Sequence, residues 1–127
     1  MAEYTEISGT VEKESRDNIR IADDVIRSIA VIAAADVEGV AGIGGSRPEE
    51  IRRTSGARIP EKSVKMSMDG DAVRLRLPVT VRYGCSIPEI CRNVQEKVRA
   101  TVENMTGYEV SVVDVSIAGI ETQAQQD

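Results

Sequence analysis

VRLRLPVTVRY (Val73–Tyr83), GCSIPEICRNVQEKVRATVENMTG (84–107) and YEVSVVDVSIAGI (Tyr108–Ile120) follow one another without a break, and their reading decides the fold. In the first, Val73, Leu75, Leu77, Val79, Val81 and Tyr83 alternate with Arg74, Arg76, Pro78, Thr80 and Arg82. That is the two-residue period of a strand with one buried face. The second is an amphipathic helix. Ser86 is its N-cap, Glu89 completes a capping box, Pro88 sits in the first turn and Gly107 closes the end. Ile87, Ile90, Cys91, Val94, Val98, Val102 and Met105 form its apolar face. The third is a strand whose Val110 and Val112 lie in one phase and Val113, Val115 and Ile117 in the other, so a bulge is expected near Val112–Val113. Strand, crossover helix and strand make a parallel pair with a right-handed connection.

Upstream, Val64-Lys65-Met66-Ser67-Met68 alternates in the same way and Asp69-Gly70 signals a hairpin turn. Folding about that turn sets Met66 near Val73 and Val64 near Leu75. Pro78 has no amide proton, so the first hairpin strand should end before reaching it. The edge beyond is then open, or covered by another segment or subunit. A first helix is predicted from Ala22 to Ala35, with Asp23 and Asp24 at the positive end of its dipole. Its stripe of Val25, Ile26, Ile29, Ile32 and Ala33, widened by Val31, is broad enough for burial on more than one side. Asp36–Ile43 reads as a short extended segment interrupted by glycine.

Residues 44–63, with Arg47, Arg52, Arg53 and Arg58, read as an exposed loop containing one helical turn near Glu49. Residues 1–17 and 121–127 read as mobile polar tails around a single domain spanning 18–120. The expected architecture is an α+β two-layer sandwich in α-β-β-α-β order, a small mixed sheet with two helices on one face.

Composition narrows the function classes. The 127 residues carry a net charge of −5, which weighs against a dedicated nucleic-acid binder. Cys85 and Cys91 are the only cysteines, and a pair so spaced suits a reducing compartment rather than a disulfide scaffold. No apolar run approaches the roughly 18 residues needed to span a bilayer. MAEYTEISGTVEKE lacks the features of a secretion signal. The expected location is cytoplasmic, with any membrane contact peripheral.

Candidate chemistry is sparse. The chain has no histidine, and no metal-ligand or phosphate-loop spacing is present. Asp23 and Asp24 are helix neighbours pointing about 100° apart, which suits helix-start charges rather than an acid–base pair. Cys91 lies on an apolar helix face, and Cys85 has no histidine to activate it. No catalytic residue, metal, cofactor or small-molecule substrate is expected, and the chain reads as a non-enzyme.

Two features remain for binding. Lys65, Arg74, Arg76 and Arg82 should line the sheet face opposite the helices, with Ser67 and Thr80 between them. Such a face is either a solvated surface that discourages edge pairing or a docking surface for an acidic partner, another protomer or an anionic lipid surface. Separately, Gly42-Ile43-Gly44-Gly45 has the GxxG spacing of the backbone-clamping loop in KH-type RNA-binding domains. With Arg47 nearby, Gly42, Gly44 and Gly45 make a single-stranded RNA module the alternative reading.

IRIADDVIRSIAVIAAADVEGVAGI (19–43), the Tyr-Gly-x-Ser-Ile-Pro-Glu run at Tyr83–Glu89, Asn93-Val94-Gln95-Glu96 and Met105-Thr106-Gly107 resemble the alkaline shock protein twenty-three family of bacterial envelope-stress proteins. The resemblance covers about Ile19 to Ile120. It implies a cytoplasmic protein of Gram-positive-type bacteria without catalytic activity, active in cell-envelope homeostasis and stress. It further implies self-assembly into a homo-oligomer and attachment to the membrane through a separate anchored or envelope-linked partner, with metabolic partners in some branches. The Arg/Pro-rich 46–62 segment departs from the Lys/Gly-rich connection usual in that family.

Overall fold

The computed structural model describes residues 19–53 and 59–122; the expected 1–17 tail, Arg58 and the chain after 122 lie outside the described residues. Helix α1 (Asp23–Ala35) is followed by strand β1 (Val40–Ile43), helix α2 (Pro48–Arg53) and a 3₁₀ turn at Glu61–Ser63. Strands β2 (Lys65–Asp69) and β3 (Ala72–Arg82), helix α3 (Ile87–Thr106) and strand β4 (Glu109–Glu121) complete the chain. This is the α+β sandwich expected, in which the extended segment ending at Ile43 pairs into the sheet as β1 and the helical turn near Glu49 is α2.

Strand β3 is the centre of the sheet. One edge pairs in parallel with β4 along its whole length, from Ala72↔Glu109 to Arg82↔Glu121. The other edge pairs antiparallel with two short strands laid end to end. Strand β2 covers Ala72–Arg76 and β1 covers Val79–Val81. The hairpin strand does stop before Pro78, but the edge beyond is not open. Gly44 donates its N–H to the Pro78 carbonyl at 3.3 Å, so the proline accepts where it cannot donate. Of the two expectations for the edge near Pro78, open or covered by another segment, the second holds: the chain's own Val40–Ile43 fills it.

Other details of register differ from expectation. The hairpin turn is Gly70–Asp71, with Asp69 opposite Ala72, so Met66 faces Leu75 and Met68 faces Val73. The shift is two residues, which leaves every side chain on its expected face. In β4 the extra residue opposite Val73/Arg74 is Ser111, one position before the expected bulge, and a second bulge falls at Ala118. The strand also runs on to Glu121, the first residue of the expected C-terminal tail.

Helices α1 and α3 pack against each other and cover one face of the sheet. Val73, Leu75, Leu77, Val79 and Val81 from β3 meet Ile90, Val94, Val98 and Val102 from α3 and Ile26, Ile29, Ala30 and Ala33 from α1 in one core. Helix α3 starts and stops as its sequence dictates: Ser86 Oγ accepts from the Glu89 N–H, and the Gly107 N–H returns to the Glu103 carbonyl at 2.9 Å. Val25 and Ile32, expected in the buried stripe of α1, are exposed. Core contact falls instead on the alanine side, where Ala30, Ala33, Ala34 and Ala35 let the helix approach closely. The 44–63 segment is not simply an exposed loop. Ile51 on α2 is buried in the core and Ile59 packs against it.

Candidate partner-binding surface

Alternation along β3 turns Arg74, Arg76, Pro78, Thr80 and Arg82 away from the helices, and no described element lies over that face. Register assembles the surface across strands. Lys65 pairs with Arg76 and Ser67 with Arg74 on one side. Val112, Asp114, Ser116, Gly119 and Glu121 stand beside Arg74, Arg76, Pro78, Thr80 and Arg82 on the other.

The four residues proposed from sequence do not form one patch. Lys65, Arg74 and Arg76 gather at one end, whereas Arg82 is six residues along the strand, about 20 Å away at 3.3 Å per residue. Arg76 is held by Asp114, with Nε at 3.2 Å and Nη2 at 3.1 Å from one carboxylate oxygen. Among the described residues Lys65 and Arg74 make no ion pair. Like charges at Lys65 and Arg76 face each other directly, so this end carries a local positive field that Asp114 offsets in part.

At the far end Arg82 lines a polar cleft of about 740 Å³ with Arg47, Arg52, Glu38, Glu49 and Glu121. Arg47 is ion-paired to Glu121, and this bond raises the Arg47 pKa above its usual value. Sequence reasoning missed Asp114 and Glu121 as members of the surface. Asp114 was signalled only by its phase, opposite to Val113 and Val115, and Glu121 not at all, because the Ala118 bulge reverses its phase and register across a 20-residue helix is not written locally.

The Gly42–Gly45 stretch spans the end of β1 and the turn after it, and two of its amides, those of Ile43 and Gly44, are already used. Ile43 and Ser46 exchange backbone bonds at 2.9 and 3.0 Å, and Gly44 donates to Pro78. A clamp on a nucleotide backbone needs free N–H groups, and here the Ile43, Gly44 and Ser46 donors are spent inside the fold. Arg47, the cation assigned to that site, is neutralised by Glu121. The geometry therefore does not assemble the RNA-clamping site read from the sequence. Cys85 is exposed and Cys91 half-buried, and both are free thiols. Among the described residues no helix is long and apolar enough to cross a membrane.

The fold and surface define a small sheet-and-helix domain with one face of its sheet uncovered. The chain belongs to the family described as Asp23 family, cell envelope-related function, whose model matches residues 11–122 (the name abbreviates alkaline shock protein twenty-three, not the residue Asp23). It is similar to the uncharacterized protein YqhY of Bacillus subtilis strain 168, at 34% identity over 85% of this chain and 82% of that one. It is also similar to the uncharacterized protein YloU of the same strain, at 29% identity over 80% and 87%. A third relative is the uncharacterized protein Spy1614 of Streptococcus pyogenes serotype M6, at 25% identity over 87% and 94%. Among solved structures, the nickel form of a MamM CTD variant aligns at TM-score 0.48 and 16% identity, covering 77% of this chain and 99% of that one. The copper form of another aligns at 0.49 and 16%, covering 79% and 100%. Likeness that weak says nothing about what this chain binds.

Proposed function

We propose that this chain is a non-enzymatic docking module of the cell-envelope system, which self-associates and offers its uncovered sheet face to an acidic segment of an envelope-linked protein. The observation that carries this reading is the asymmetry of the sheet. One face is sealed under α1 and α3, and the other presents Arg74 and Lys65 without carboxylate partners among the described residues. Arg76 on the same face is paired with Asp114, so the unpaired positive charge of this end is concentrated on Lys65 and Arg74. Membership in a family of cell envelope-related function supplies the setting.

The test is affinity isolation of the full chain from its native cell with the membrane fraction retained, comparing wild type with the triple variant Arg74→Ser/Arg76→Ser/Arg82→Ser. The reading expects envelope-linked proteins to be lost from the variant while its thermal unfolding stays cooperative. Unchanged recovery would return the arginines to the role of a solvated strand face.

A further inference from the structure

Strand β4 is an edge strand that is protected along only half of its length. At Val110–Val113 its outer backbone is occupied by three side chains of α3. Glu103 accepts from the Val110 N–H at 3.0 Å, Arg99 Nε donates to the Val110 carbonyl at 3.2 Å, and Gln95 Nε2 donates to the Val113 carbonyl at 3.1 Å. From Val115 to Ile120 no described element pairs with that edge. Helix α3 crosses the sheet obliquely. Its C-terminal half overhangs β4, while Ile90 in its first turns packs onto Gly39, beside β1. Ile117 and Ile120 pair with Val79 and Val81 and so sit on the helix side of the sheet, yet they remain 38% and 55% exposed. Ile87, 36% exposed at the start of α3, lies at the same end.

The segment Val115-Ser116-Ile117-Ala118-Gly119-Ile120 carries no charge. Edges of this kind are normally blunted by lysine, proline or a covering element. The Ala118 bulge is the one blunting device present, and it limits regular pairing to the residues before it. The flanking acids decide the occupant. Two copies pairing antiparallel about Ser116 set Asp114 of each near Ala118 of the other, so the flanking carboxylates do not face one another. Each acid is also bound to an arginine of its own chain, Asp114 to Arg76 and Glu121 to Arg47. What is left is an apolar patch with nothing to select a foreign charge, self-complementary about a two-fold axis.

We infer that the uncovered end of β4, with Ile117, Ile120 and Ile87, is the surface on which a second copy of this chain docks, by a short antiparallel pairing centred on Val115–Ile117 and burial of the isoleucines. The inference rests on the self-association in the reading above and names its surface, which is distinct from the arginine face.

Sedimentation velocity across a concentration series and amide hydrogen exchange test it together, on wild type, Ile117→Lys/Ile120→Lys and Arg74→Ser. Wild type and Arg74→Ser, which leaves the Arg76–Asp114 and Arg47–Glu121 pairs in place, should dimerise alike. The lysine variant should raise the dissociation constant at least tenfold with its unfolding still cooperative. Exchange of the Val115–Ile120 amides should slow as wild-type concentration rises, a readout independent of how the lysine variant folds. Dimers that persist in the lysine variant, with unchanged exchange at Val115–Ile120, would overturn this surface and leave self-association standing. A wild type that stays monomeric would overturn both.

Discussion

Gly39 and Ile90 are in such close approach that a Cβ placed on Gly39 would lie 2.7 Å from Ile90 Cδ1 and 2.9 Å from its Cγ1. The glycine holds φ at 95°, a backbone region that other residues rarely enter. This contact seats the start of α3 beside β1, on the opposite side of β3 from Ile117 and Ile120. Gly39→Ala should lower unfolding free energy by about 1–3 kcal/mol, combining backbone strain with displacement of a buried isoleucine. Chemical denaturation measures it, and an unaltered midpoint would contradict the packing described.

Ile51 gives a second stability test. It is 2% exposed, on a helix of only six residues surrounded by charge. Ile51→Ala should cost about 2–5 kcal/mol if α2 is seated in the core, and close to nothing if residues 44–63 are an exposed loop. Denaturant titration of the purified variant separates the two.

What the sequence made legible follows from how locally each feature is encoded. The alternation of Val73–Arg82, the Ser86 cap and the Gly107 stop are set by neighbours a few residues apart, and all three stand in the structure, whereas Tyr83, expected on the buried face, lies past the strand end and is 67% exposed. Val40–Ile43 was harder to read as a strand, because four residues containing a glycine show no period. Ile51 is one apolar residue in a polar stretch, which carries no pattern at all. The partners of the arginines are a problem of register. Ser111 and Ala118 each shift β4 by one residue, so placing Asp114 beside Arg76 and Glu121 beside Arg82 requires both bulges. One displaced residue would have reversed the faces of the strand.

The Arg76–Asp114 pair is exposed on both sides, so its contribution to stability should be small. A double-mutant cycle with Arg76→Ser and Asp114→Asn should give a coupling of about 0.2–1 kcal/mol that shrinks with added salt. Coupling well above that range would mean that the pair is shielded from solvent, contrary to its exposure of 60% and 54%.

Single-stranded RNA should not bind. With the Ile43, Gly44 and Ser46 amides committed within the fold and Arg47 held by Glu121, a gel shift at low ionic strength should show free probe throughout. A salt-dependent shift that is lost on Gly45→Asp substitution would reverse this conclusion.

The claim that this protein acts by binding, and first by binding itself, is tested most directly by its mass in solution. Sedimentation equilibrium over a wide concentration range should show the apparent mass rising from the 13.8 kDa of one chain towards twice that value, equally at low and high salt because the contact is apolar. A mass that stays at 13.8 kDa at every concentration would contradict the account.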